Sequence, residues 1–154
     1  MHFTLEVLSN TGRFFKKYLE NLSLEDLNKI PEGFNNNIIW NVGHILVTQQ
    51  LLVYKLSGLP MMVSDTLIAK YMKDTKPEGF INQQEVDEIK ELLFSTIEKT
   101  KEDFNNGLFK NFKEYTVSTT GNTLTTIDEA FQFILFHEGM HLGYVMALLR
   151  GVKN

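Results

Sequence analysis

The chain contains no cysteine. Disulfide bonds and thiolate metal ligands are therefore excluded, and a thiol that takes part in a reaction would have to come from a cosubstrate. No apolar run reaches the length of about 18 residues that a membrane span needs, and the first residues lack the apolar stretch of a secretory signal peptide. We therefore predict a soluble, cytoplasmic protein that does not use a membrane.

The excess of one sign of charge over the other is also small. The chain has 15 Lys and Arg residues against 19 Asp and Glu residues, and its formal net charge is -4 at pH 7. The basic residues are scattered, so the sequence offers no surface for nucleic acid. Hydrophobic residues make up 43% of the chain, as in an ordinary globular protein, and we predict a single domain over residues 1–154.

Apolar residues recur with the period of an α-helix in four long segments. These segments are residues 2–22, residues 35–58, residues 82–105 and residues 126–150. Short helical turns are predicted in SLEDLNK and SDTLIAKYMK, and TVSTTGNTLTT suits a brief hairpin before the last helix. The pattern predicts an all-α four-helix bundle with long connections.

The stretch HEGMH, residues 137–141, matches the H-E-x-x-H signature of zinc proteases. Those enzymes need a third metal ligand downstream of the motif. After Glu138 the chain has no Asp, Glu or Cys, and after His141 it has no further histidine. The protease interpretation therefore lacks its third ligand.

Glu138 and His141 also form an E-x-x-H pair, which occurs in di-iron bundles. A di-iron site needs a second such pair on another helix. The residue three positions before His44 is Asn41, and the residue three before His137 is not acidic either. The sequence therefore argues against di-iron chemistry.

His137 and His141 follow the same helical face as the apolar residues around them, so both are predicted to point into the bundle. Two interpretations stay open for this pair: hydrogen-bonded core histidines, or two ligands of one divalent ion. His44 lies on an apolar helix next to Gly43, which would let another backbone approach closely. Taken alone, His44 would be interpreted as a hydrogen-bonded core residue. With the pair present, a three-histidine site across two helices explains His44 better. His2, near the terminus, is predicted to be exposed and uninvolved.

The stretches NIIWNVGHI, FHEGMHLGYVMALLR and TTGNTLTTIDEAFQF resemble the DinB/YfiT-like superfamily of four-helix-bundle metalloenzymes. The resemblance implies a divalent metal ion, zinc or nickel, held by His44, His137 and His141 with one open coordination position. It also implies a small-molecule substrate and a homodimer. Characterised relatives include thiol-dependent S-transferases and isomerases, and others are domains of sulfur-transfer enzymes. Tyr144 departs from the pattern, because relatives often have glutamine there.

The function that the resemblance implies is a metal-dependent enzyme that transfers a low-molecular-weight thiol or hydrolyses a small molecule. Three neutral imidazoles would leave the full charge on the ion, so that a bound water could ionise near pH ~7. The alternative is a non-enzymatic, stress-related binding protein with a structural metal or no metal.

Glu138 is a candidate for a base, for a residue that supports the ligands, or for a surface carboxylate. Neighbouring positions of a helix differ in direction by about 100°, which favours the last two roles because His137 points inward. Asn41 and Thr48 are weaker candidates for supporting His44. Three further side chains are predicted to belong to the core or a pocket wall: Trp40, Met140 and Tyr144.

Overall fold

The structure is a computed structural model, and it describes residues 1–153. In chain order its elements are α1 (His2–Asn21), α2 (Leu24–Asn28), α3 (Ile38–Gln49), a π-helical segment (Gln50–Lys55), α4 (Asp65–Tyr71), α5 (Gln83–Asn105), β1 (Tyr115–Thr116), β2 (Thr123–Leu124) and α6 (Ile127–Val152). The four long helical segments and both short ones lie where the periodicity predicts them.

Polar side chains in the local sequence determine where the helices begin. Each of five helices is preceded by a side chain that accepts a hydrogen bond from a backbone N–H three residues later: Ser23, Asn37, Ser64, Asn82 and Thr126. At α6 the bond is reciprocated, because the Glu129 side chain accepts from the backbone N–H of Thr126. Such caps satisfy backbone donors that the first turn leaves free.

The four long helices pack in a ring. Helix α1 contacts α5 and α6, and α3 contacts the same two helices. Strands β1 and β2 form an antiparallel hairpin in which Tyr115 pairs with Leu124 and Thr116 with Thr123. The predicted all-α four-helix bundle with a brief hairpin is confirmed. Within residues 1–153, no helix is both long enough and apolar enough to cross a membrane.

The second long segment differs from the predicted regular helix. Its α-helical part ends at Gln49, and residues 50–55 are π-helical. The N–H of Leu56 bonds to the carbonyl of Leu51, five residues back, at 3.3 Å. Gln50 is fully buried, and its Oε1 accepts a bond from the backbone of Met62 at 2.8 Å. Helical periodicity cannot predict this contact, because Met62 lies outside the helix.

Buried apolar side chains form two clusters, and Met61 packs against both. Helix α3 belongs mostly to the first cluster and is buried around nearly its whole circumference. On α6 the two histidines lie between Ile134 of the second cluster and Val145 of the first. The histidines therefore lie where the two apolar clusters meet.

Gly43 allows α4 to pack closely on α3. A Cβ atom at this position would lie 2.5 Å from Cδ1 of the Tyr71 ring, which is far inside van der Waals contact. The sequence predicted a close approach here, but by a backbone; the group that approaches is an aromatic ring. Tyr71 is fully buried, so its ring has little room to move away.

We predict that Gly43→Ala destabilises the protein by about 1–3 kcal/mol, the usual cost of forcing an extra atom into a packed core. Urea unfolding followed by circular dichroism measures the effect. Gly12→Ala is the matched control, because a Cβ at Gly12 would meet only the Leu93 carbonyl at 3.9 Å. The control should be neutral or stabilised by up to about 1 kcal/mol, as expected for alanine in a helix. Equal stability of the two variants would contradict the packing argument.

Candidate metal centre

Three histidines from two helices come together in the bundle. One nitrogen from each of His44, His137 and His141 can be chosen so that all three lie within 4.8 Å of one another. The ring centroids are 5.1 Å apart for His44 and His137, 4.9 Å for His44 and His141, and 4.5 Å for His137 and His141. His44 and His137 are buried, and His141 is half-buried. The predicted meeting of the three side chains is therefore present in the fold.

The His44 ring is held by α4 and by Trp40. Its Nδ1 lies 2.7 Å from the carbonyl oxygen of Tyr71. Because a carbonyl can only accept, Nδ1 carries the proton and Nε2 has the free lone pair. Thr48 Oγ1 is 3.4 Å from that Nε2, and the Trp40 ring stacks on the imidazole at 4.8 Å with an angle of 9°. Thr48 therefore contacts His44 at the nitrogen that would bind a metal, and its role in supporting the ligand stays a prediction.

The His141 ring is oriented by Asn41, which is 100 residues away in the sequence. Its Nδ1 lies 2.8 Å from Asn41 Oδ1. The Asn41 amide nitrogen donates to Asn36 Oδ1 at 2.9 Å and to the Asn37 carbonyl at 2.7 Å, which leaves the amide oxygen for His141. Asn41 was predicted, as a weaker candidate, to support the ligands from its place three residues before His44; it does contact the cluster, but through His141, because its side chain reaches across to α6.

Packing positions the third imidazole. The Phe133 ring lies 6.1 Å from the His137 ring with an angle of 27°, one helical turn before it on α6. The His44 and His141 rings contact its other sides. Each of the three rings is thus confined by a neighbour that does not occupy the space between the histidines.

The protein environment favours the neutral form of all three imidazoles. Burial, together with the repulsion between protonated His137 and protonated His141 or His44, lowers the pKa of His137 to about 3. Burial and His44 lower the pKa of His141 to about 4. Burial also lowers the pKa of His44, although its bond to the Tyr71 carbonyl partly opposes the shift. The neutral form is the one that offers a lone pair to a metal ion.

A pocket of about 430 Å³ opens beside two of the three histidines, His44 and His137. Pockets of about 300–1,000 Å³ are typical of small-molecule sites. Apolar side chains form much of the wall: Leu51, Leu52, Leu56, Ile68, Met72, Val117 and Phe133. The arrangement can therefore admit a small molecule to the open side of the histidine cluster.

Glu138 is buried, with 6% of its surface exposed. Its predicted alternative as a surface carboxylate is therefore wrong, because the buried face of α6 is broad enough to include both position 137 and position 138. Within residues 1–153, Glu138 Oε2 has no hydrogen-bond partner, and burial raises the pKa of this carboxyl to about 8. Glu138 does not line the pocket. Its roles as a base or as a support for the ligands stay predictions.

The remaining predicted side chains divide between core and surface. Trp40 is buried against His44, as predicted. Met140 and Tyr144 are 42% and 37% exposed, so their predicted place in a core or pocket wall is wrong; Tyr144 packs edge-on against Phe34 at 5.5 Å. His2 is exposed on α1 and away from the cluster, as predicted.

Sequence reasoning missed Tyr71 and the asparagines that orient Asn41. Tyr71 acts through its backbone carbonyl, which has no side-chain signature. Thr75 was missed as well; its Oγ1 accepts from the Trp40 indole N–H at 3.2 Å and so fixes the ring that covers His44. The run of asparagines at 35–37 is the one available signal, and as a local pattern it predicts only a helix cap.

A family model described as the DinB superfamily matches residues 8–145. The matched span covers most of the chain and contains His44, His137 and His141. No curated protein matches the chain significantly. The matched span therefore includes the parts of both helices that carry the cluster.

We predict that Glu138→Gln stabilises the chelator-treated protein increasingly as pH rises from about 5 to about 8. In this range the folded carboxyl keeps its proton, while the carboxyl of the unfolded chain, with its ordinary pKa of 4.5, has lost it. Raising the pH therefore favours unfolding of the parent, by at most about 1.4 kcal/mol per pH unit. Glutamine has no proton to lose.

Urea unfolding at a series of pH values, compared between parent and variant, checks this prediction. Glu91→Gln, on the exposed face of α5, is the matched control. A stability difference between Glu138→Gln and the parent that does not change with pH would contradict the prediction.

Proposed function

This chain belongs to the DinB superfamily, and we propose that it is a divalent-metal-dependent enzyme acting on a small molecule, with His44, His137 and His141 as the metal ligands. The observation that carries the proposal is the meeting of three neutral imidazoles beside a pocket of about 430 Å³. Neutral imidazoles that meet beside a pocket offer lone pairs that a divalent ion can bind.

The donor set fits a divalent ion. Two of the three rings commit Nδ1 to a protein oxygen, which leaves Nε2 as the donor atom of His44 and of His141. Ligand nitrogens around a tetrahedral zinc ion, at Zn–N distances of about 2.0–2.1 Å, lie about 3.4 Å apart. The nitrogens here lie within 4.8 Å of one another, so small ring rotations would bring them to that spacing. Lowered pKa values mean that no proton has to be displaced at neutral pH.

A divalent ion at this centre would supply a Lewis acid and would lower the pKa of a coordinated water or thiol. The chain has no cysteine, so the nucleophile has to be water or a thiol from solution. Apolar side chains form much of the pocket wall, which suits a soft sulfur nucleophile carried by a small organic molecule. We therefore favour transfer of a low-molecular-weight thiol over hydrolysis. A screen of thiols against electrophiles, with thiol-free reactions as the reference, separates the two.

The contrary function is a non-enzymatic binding protein whose metal is structural. A structural site is coordinatively closed, whereas the pocket beside His44 and His137 supports an open position. Chelation distinguishes the two, because removal of a structural metal unfolds the protein. The homodimer that family members tend to form is also part of the proposal, and a molar mass from light scattering tests it.

We predict about one divalent ion per chain in the untagged parent, and much less in His44→Ala and His137→Ala, because each variant loses one of three ligands. Elemental analysis of the purified proteins measures the content. His2→Ala is the control, since His2 is exposed and away from the cluster. Equal metal in the parent and both cluster variants would overturn the proposed centre.

We also predict that Asn41→Leu weakens zinc affinity by roughly 10–100-fold, the usual effect of removing a residue that orients a histidine ligand. Leucine has a similar size but cannot accept the Nδ1 proton of His141. Competition with a chromophoric chelator measures the affinity, and circular dichroism checks the fold. Thr48→Val is the comparison variant, because the Thr48 hydroxyl makes a longer and weaker contact with His44, at 3.4 Å. Unchanged zinc affinity in a folded Asn41→Leu variant would show that Asn41 does not position the ligand.

A further inference from the structure

The pocket beside the histidines carries positive charge and no negative charge on its wall. Lys55, at the end of the π-helical segment, and Lys73, just after α4, both line it. Within the described part of the chain, no Asp or Glu lines the pocket. Two lysines from separate elements therefore line one pocket that also has many apolar side chains.

Neither lysine is neutralised by a strong ion pair. Among residues 1–153, Lys55 forms no salt bridge. Lys73 Nζ lies 3.3 Å from Asp74 Oδ2, but the two side chains are 57% and 82% exposed. Ion pairs at such exposure contribute little, since water and salt screen them. Both ammonium groups are free to bind an anion that enters the pocket.

We propose that the substrate of this pocket is an organic anion with an apolar body, whose acidic group is bound by Lys55 and Lys73 and whose apolar part lies against Leu51, Leu52 and Phe133. This proposal rests on the proposed function, because it names the substrate class of that same site. The lysines are binding residues in it and the histidines remain the reactive centre.

The wall chemistry supports an amphipathic anion over a neutral or cationic compound. The apolar side chains can cover the body of such a ligand while its acidic group lies near the two lysines. Four hydroxyl-bearing side chains also line the pocket and can donate to acidic oxygens: Thr48, Tyr115, Ser118 and Thr119. A cationic ligand of the same shape would meet two like charges, which selects against it.

Calorimetric titration with three probes of equal chain length tests the proposal: octanoate, 1-octanol and octylamine. We expect octanoate to bind the full-length protein about tenfold more tightly than 1-octanol, since two lysines attract its charge, and octylamine to bind most weakly. The Lys55→Met and Lys73→Met double variant should lose the preference for octanoate while its affinity for 1-octanol stays the same. Lys76→Met is the matched control, because Lys76 is exposed three residues beyond Lys73 but does not line the pocket.

Asp74→Asn should change the affinity for octanoate in the opposite direction. It removes the carboxylate that competes for Lys73, and asparagine tolerates the positive φ of 69° at this position. We expect octanoate to bind about twofold more tightly to this variant, because a weak surface ion pair no longer has to be broken.

The outcomes separate this proposal from the metal centre. Equal affinity for the three probes, or an octanoate preference that survives the double substitution, overturns the anion site. A preference that survives the double substitution but disappears after chelation shows that the carboxylate binds at the histidines instead. A lysine-dependent preference in a protein whose metal content is unaffected by the histidine substitutions supports the anion site and overturns the proposed metal function.

Discussion

The close packing of α4 on α3 at Gly43 is the constraint on which the histidine cluster depends. Without a side chain at Gly43, the Tyr71 ring rests directly on the helix, and the Tyr71 carbonyl comes within 2.7 Å of His44 Nδ1. That contact sets the tautomer of His44 and leaves the lone pair on Nε2. A helix that ended elsewhere, or a larger residue at 43, would leave a buried imidazole without its partner, at a cost comparable to an unmade hydrogen bond.

Burial favours the neutral form of both the bases and the acid of this region, so it shifts their pKa values in opposite directions. It keeps the three imidazoles neutral, which suits them as donors, and it also keeps the Glu138 carboxyl protonated near neutral pH. Glu138 has an oxygen without a partner among the described residues, so the fold tolerates an unfavourable group one position from His137. Unfavourable buried groups tend to lie near functional sites, and Glu138 directly follows His137, which lines the pocket.

Local patterns predicted more of the bundle than of the site. Period and capping residues located the helices, and the shared face of His137 and His141 indicated that both point inward. The sequence did not predict contacts with distant segments of the chain. Asn41 contacts His141 on α6 rather than His44, and Tyr144 lies partly exposed beside Phe34. A helix pattern shows which residues share a face, but not which neighbour that face meets or how wide the buried arc is.

The sequence by itself determined the helix positions, the absence of any thiolate ligand, and the presence of two inward-facing histidines one turn apart, because these depend on residue identity and short-range spacing. The sequence also predicted that His44 joins the pair, and the tertiary structure shows that it does. Only the tertiary structure decided that Tyr71 and Asn41 contact the rings, and that Lys55 and Lys73 line a pocket with two of the histidines. These relations join residues from separate helices, and the packing of side chains between helices has no signature in any one segment.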